Sequence, residues 1–152
     1  MSTSRREFLR TSCATAALLA LGVDLAACDA SDPTGGNPGG GAGTGITVGS
    51  STVTLDLTGT QARAVASAGG FLLIASARVL ALNADGTTIR AFTSVCTHQG
   101  CDVDAFSGGL LRCPCHGSQY DTDGQVVQGP APAPLREYPV TRSGDLVTIH
   151  LA

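Results

Sequence analysis

Two short stretches, Cys96-Thr97-His98-Gln99-Gly100-Cys101 and Cys113-Pro114-Cys115-His116-Gly117-Ser118, constrain this chain more than any other feature. They hold four of its six cysteines and two of its three histidines. As spacing, they read Cys-x-His, fourteen intervening residues, then Cys-x-x-His. Close neighbours such as Cys96 and His98, or Cys113 and His116, can turn toward one point from a tight loop. A hairpin signal at Phe106-Ser107-Gly108-Gly109 lies between the stretches and can bring the two loops face to face. Two thiolates and two imidazoles form a soft-to-borderline donor set that suits a metal centre.

The rest of the chain after Gly45 alternates short aliphatic or β-branched runs with turn residues. This predicts strands over 52–57, 71–75, 79–83, 89–93, 109–113, 119–121, 126–128, 135–141 and 146–150. Ala84-Asp85-Gly86, Thr122-Asp123-Gly124 and Ser143-Gly144-Asp145 punctuate them with residues that tolerate positive φ. A stretch at 61–68 is the only helix-like one. The expectation is a small all-β barrel or sandwich with an irregular insert carrying the cysteines. His150, in the last strand beside Ile149 and Leu151, is expected to be a strand histidine rather than a ligand.

The paired loops resemble those of the Rieske iron–sulfur proteins. The resemblance covers residues 46–152 and is specific at Cys96 to Tyr120 and at Gly129 to Pro132. It implies a Rieske-like antiparallel β fold with a cluster-binding part at about 93–133 and one [2Fe-2S] cluster. In that family two cysteines hold one iron and two histidines the other. Carried over, Cys96 and Cys113 would bind one iron, and His98 and His116 the second. The resemblance also implies a Cys101–Cys115 disulfide joining the loops. It gives Ser118 a hydrogen bond to a bridging sulfide and Tyr120 one to a ligand-cysteine sulfur, both raising the potential. Gly129-Pro130-Ala131-Pro132 resembles the proline loop that covers the cluster.

The N-terminus reads as an address. Arg5 and Arg6, followed by Phe8 and Leu9 and an apolar run over 14–23, resemble a twin-arginine export signal. Leu25-Ala26-Ala27-Cys28 resembles a bacterial lipobox, with Cys28 the lipidated residue once 1–28 is processed. Plain cleavage and an uncleaved anchor are the rivals, the latter weakened by an apolar run well short of the ~20 residues a span needs. Residues 29–45 are a Gly/Pro-rich linker with a reach on the order of 23 Å.

From Asp29 onward six Arg face ten acids, and the positive residues are thinly spread, which excludes a nucleic-acid partner. No nucleotide motif or substrate-pocket signature is present, so the chain is not expected to be catalytic by itself. The reading is a one-electron carrier at the outer, periplasmic face of the cytoplasmic membrane, lipid-tethered. It would act alone or as a small subunit, as in arsenite-oxidase-like complexes, and its partners would be a cytochrome or a larger oxidoreductase subunit. The alternative is the Rieske subunit of a bc-type quinol:cytochrome c oxidoreductase. Gln99 stands where those proteins typically carry Leu, and they usually keep a transmembrane anchor. A structural zinc site is the weaker rival, because zinc spacing usually pairs like with like.

Overall fold

A computed structural model describes residues 43–152. Arg5, Arg6 and Cys28, and with them the expected export signal, the expected lipobox and most of the expected linker, lie outside the described residues. Twelve strands follow one another among the described residues. They are β1 (Ile46–Val48), β2 (Thr52–Asp56), β3 (Gly70–Ile74), β4 (Val79–Asn83), β5 (Arg90–Thr93) and β6 (Ala105–Ser107), then β7 (Leu110–Arg112), β8 (Gln119–Tyr120), β9 (Val126–Gln128), β10 (Glu137–Tyr138), β11 (Val140–Ser143) and β12 (Leu146–His150). They form three antiparallel four-stranded sheets, in the orders β1-β2-β12-β11, β10-β5-β4-β3 and β6-β7-β8-β9. The chain is all-β.

Side-chain alternation on β4 explains how the sheets stack. All five β4 residues are buried. Val79 and Ala81 face one core with Val53, Leu55, Val147 and Ile149 of the β2–β12 pair. Leu80 and Leu82 face a second core with Leu111 and Tyr120 of the third sheet. Because successive side chains point to opposite faces, the β4–β5 sheet is a middle layer with a buried core on each side. Arg90 of β5 fastens the layers at their edge. It donates to both carboxylate oxygens of Glu137 at 2.8 and 2.9 Å, to the Thr122 carbonyl at 3.2 Å and to the Asp123 carboxylate.

The expected strand at 135–141 is in fact two. Pro139 has no amide proton and interrupts the ladder, so β10 pairs with β5 while β11 pairs with β12 in a different sheet. The helix-like stretch at 61–68 is reduced to a single 3-10 turn, Ala62–Val65, which buries Ala62 and Val65. Residues 43–45, at the end of the Gly-rich stretch, belong to the ordered domain. Their carbonyls accept the amides of Thr60, Gln61, Ala62 and Asp56 at 2.7–3.0 Å.

Candidate metal centre

Each cysteine-bearing loop is closed by the same two backbone hydrogen bonds. In the first, the Cys96 amide donates to the Cys101 carbonyl at 2.8 Å, and the Gly100 amide donates back to the Cys96 carbonyl at 2.9 Å. In the second, Cys113 donates to Ser118 at 2.9 Å and Gly117 to Cys113 at 3.1 Å. The glycine of each frame sits at nearly the same positive φ, +76° and +77°, where a Cβ would be strained. The second loop joins paired strands, since Leu111 opposes Tyr120 and Arg112 opposes Gln119. A single bridge between Val95 and Asp102 closes the base of the first. A cysteine, Cys96 or Cys113, opens each frame at the same place, while His98 falls third in the first loop and His116 fourth in the second.

The loops meet as the spacing anticipates. A disulfide joins Cys101 to Cys115, with Cα atoms 6.5 Å apart. The His98 and His116 Nδ1 atoms lie 3.2 Å from each other, with the rings crossing edge to face. Cys96 and Cys113 are free thiols, each 2% exposed, within the second apolar core. The sulfurs therefore point inward and the imidazoles outward.

Tyr120 and Ser118, both fully buried, close the site from below. The Tyr120 hydroxyl lies 3.3 Å from Cys96 Sγ and accepts the Thr97 amide at 3.3 Å. Ser118 Oγ accepts the Ala131 amide at 3.1 Å, which leaves its own proton free to turn toward the sulfurs. Burial pushes the Cys96 thiol up, but the Tyr120 hydroxyl, the His98 amide, the Cys113 thiol and Ser118 outweigh it and draw it down. Cys113 moves the other way, raised by burial and by Cys96 beside it. Burial also raises the Tyr120 phenol, and Cys96 adds to that. Donors aimed at a buried sulfur favour its negative form.

The segment Gly129, Pro130, Ala131 and Pro132 clips onto both loops. Ala131 is buried and held by Ser118, while Gly129, Pro130 and Pro132 are exposed. One residue further on, the Ala133 carbonyl accepts the Thr97 hydroxyl at 2.6 Å. Sequence reasoning passed over Thr97, which touches both Tyr120 and the proline segment. It also passed over Ser94, Asp102 and Arg78; Arg78 reaches Gly100 and Asp102 from 22 and 24 residues away, which leaves no local signal. His150 lies away from the loops, its Nε2 3.2 Å from Thr141 Oγ1 on the neighbouring strand.

The donor set fits a binuclear centre better than a single ion. Two imidazole nitrogens 3.2 Å apart, each ~2.1 Å from one metal, would subtend about 100°, close to tetrahedral. Among the described residues, the trio of candidate donors lying within 4.8 Å of one another is Cys101, Cys113 and Cys115. Two of those sulfurs are consumed by the disulfide, so it is no zinc site.

Comparisons with known proteins come from three directions. The family model described as a Rieske [2Fe-2S] domain matches residues 52–139. The chloroplastic cytochrome b6-f complex iron-sulfur subunit of Bigelowiella natans is 52% identical over 61 residues, covering 38% of this chain and 24% of that protein. The corresponding subunit of Chlorobaculum tepidum is 34% identical over 76 residues, covering 49% of this chain and 41% of that protein. The chain thus spans about a quarter of one relative's length and two fifths of the other's. The solved plasma membrane Rieske protein PetC3 from Synechocystis PCC 6803 is 34% identical, with a TM-score of 0.44 over 47% of this chain and 74% of that one.

Proposed function

This chain belongs to the Rieske [2Fe-2S] domain family, and on that premise we propose that it carries single electrons between proteins outside the cytoplasm. Cys96 and Cys113 would hold one iron and His98 and His116 the other. The observation that carries this reading is the segregation of donors, with two buried thiols on one side and two facing imidazoles on the other. When bound, a [2Fe-2S] cluster with this ligand set accepts and returns one electron at a higher potential than a four-thiolate cluster.

The chain's own residues set the conditions. Tyr120 and Ser118 place hydroxyl protons near the buried sulfurs, which favours the more negative, reduced state. The proline segment and the apolar core exclude water from the thiolate side. With both Nδ1 atoms turned to a common point, each ring keeps Nε2 for solvent or a partner. His98 and His116 would present the exposed edge through which a bound cluster could exchange electrons with a partner.

Export by the twin-arginine route and a lipid at Cys28 complete the proposal. The sequence at Arg5, Arg6 and Cys28 supports it, and so does the Cys101–Cys115 disulfide, a bond that persists in oxidising compartments. No helix among the described residues is long and apolar enough to cross a membrane. The chain would then be a tethered carrier or small subunit serving a cytochrome or a larger oxidoreductase. A second reading, a subunit of a quinol-oxidising complex, is favoured by relatives named as cytochrome b6-f complex iron-sulfur subunits. Gln99 in place of an apolar residue counts against it.

The test is iron and acid-labile sulfide analysis with EPR of the reduced protein. Two irons per chain and a reduced-state signal are expected, and their absence from freshly made, untagged protein sinks the reading. Cys28→Ser is expected to release the protein from membranes. Quinol:cytochrome c activity in a purified complex, abolished by His116→Ala, would replace the carrier reading with the second.

A further inference from the structure

The β3–β4 hairpin turns on a residue whose backbone conformation its side chain does not favour. Arg78 has φ +52° and ψ +44°, and among the described residues it is the one non-glycine residue with positive φ. Glycine or asparagine ordinarily takes such a capping position, because a Cβ crowds the following carbonyl there. The side chain supplies a reason for keeping arginine. Its Nη2 donates to the Gly100 carbonyl at 2.6 Å and reaches Asp102 Oδ1 at 3.3 Å. Its own carbonyl accepts the Ser94 amide at 2.8 Å. Ser94, fully buried, donates its hydroxyl to the same Asp102 oxygen at 2.5 Å.

Arg78 thus grips the first loop where the chain enters it, at Ser94, and where it leaves, at Gly100 and Asp102. Gly100 is held on both sides, its amide on the Cys96 carbonyl and its carbonyl on Arg78. The ion pair itself is about half exposed and contributes little alone. The charge-assisted bond to the carbonyl is the stronger contact. The disulfide ties both loops, and the second is held besides by Ser118 under Ala131.

We propose that Arg78 is a positioning residue for the His98 loop, fixing the Gly100 carbonyl and thereby the direction in which His98 faces its partner histidine. Its cation also adds positive charge beside the site. The effect on potential rests on the cluster reading above; the effect on the loop does not.

Three full-length proteins carry the test: the parent, Arg78→Gly and Arg78→Lys. Amide hydrogen exchange is read in the peptide covering residues 97–101, alongside the thermal midpoint and the midpoint potential. Glycine suits the left-handed backbone, so the thermal midpoint of Arg78→Gly should hold or rise. Exchange in the loop should nevertheless quicken roughly tenfold, and the potential should fall. Arg78→Lys restores the cation, so the potential should recover and exchange should return to within about threefold of the parent. Parent-like exchange in Arg78→Gly overturns the inference. So does a loss of thermal midpoint that matches the loosening and that lysine leaves unrepaired. A parent without iron would sink the cluster reading, and the exchange comparison would still decide the role of Arg78.

Discussion

The two cores share the β4–β5 sheet but are made of different material. On one face lies hydrocarbon throughout, with Val53, Leu55, Val65, Ile74, Val147 and Ile149 packed against Val79 and Ala81. On the other face Leu80, Leu82 and Phe92 pack against two thiols and a phenol, and the assembly opens onto imidazoles. The strands differ as well. β2 and β12 pair along five residues, while β6 to β9 are two or three residues long and are helped by loops, a disulfide and side-chain hydrogen bonds. Short strands bury too little to stand alone. A pre-formed apolar layer beneath them lets reactive groups occupy the second core without carrying the stability of the whole.

The largest expected effect separates the halves outright. Cys113→Ser removes one buried sulfur, so visible absorbance and the reduced EPR signal should vanish entirely. Far-UV circular dichroism should retain the signal of the all-hydrocarbon half. Collapse of that signal would show that the two halves stand or fall together. A finer separation compares Leu55→Ala with Leu80→Ala, two fully buried leucines on opposite faces of the middle layer. Each should cost about 2–5 kcal/mol in denaturant unfolding. Only Leu80→Ala should move the midpoint potential. An equal shift from Leu55→Ala would break the comparison.

Legibility followed the same division. Strands 79–83, 126–128 and 146–150 could be read directly, because local turn chemistry or strict alternation marks their ends. Gly86 and Gly144, for example, sit at positive φ in the hairpins they announce. Pro139 was visible too, but its effect of sending β10 and β11 to different sheets depends on where β5 and β12 lie. β1 was missed although it forms a local hairpin with β2, Val48 opposing Val53, because it is only three residues long and follows a run of glycines. In the site, spacing was enough to bring Cys96, His98, Cys113 and His116 to one end. What spacing could not reveal were the braces. Thr97 on Ala133 spans 36 residues and Arg78 on Gly100 spans 22, and no periodic pattern encodes contacts of that kind.

The smaller effects probe how the site half is held. Replacing Cys101 and Cys115 together by serine frees a loop with a sequence separation of 14 and should cost about 3 kcal/mol in urea unfolding. Unchanged stability would mean that the backbone frames alone hold the loops. Tyr120→Phe removes the hydroxyl lying 3.3 Å from Cys96 Sγ. A hydrogen bond worth about 1 kcal/mol corresponds to a fall in midpoint potential on the order of 40 mV for one electron. The cluster should be retained, and an unshifted potential would remove Tyr120 from the tuning of the site.

The smallest effect belongs to the other end of the middle layer. Asp85, fully exposed in the β4–β5 turn, has its carboxyl lowered from 3.8 to about 2 by the amides of Thr88 and Thr87. A depressed folded-state pKa stabilises the fold above the unfolded value, and that contribution is lost as pH falls through the folded one. The relevant window is therefore from about pH 4 down to about pH 2. Across it, the thermal midpoint of the parent should drop slightly more than that of Asp85→Asn, while above pH 5 the gap between them stays constant. The reduced-state spectrum of the two proteins should be the same at neutral pH, because the turn touches neither loop. A spectral change in Asp85→Asn would mean that the middle layer transmits strain between the halves rather than insulating one from the other.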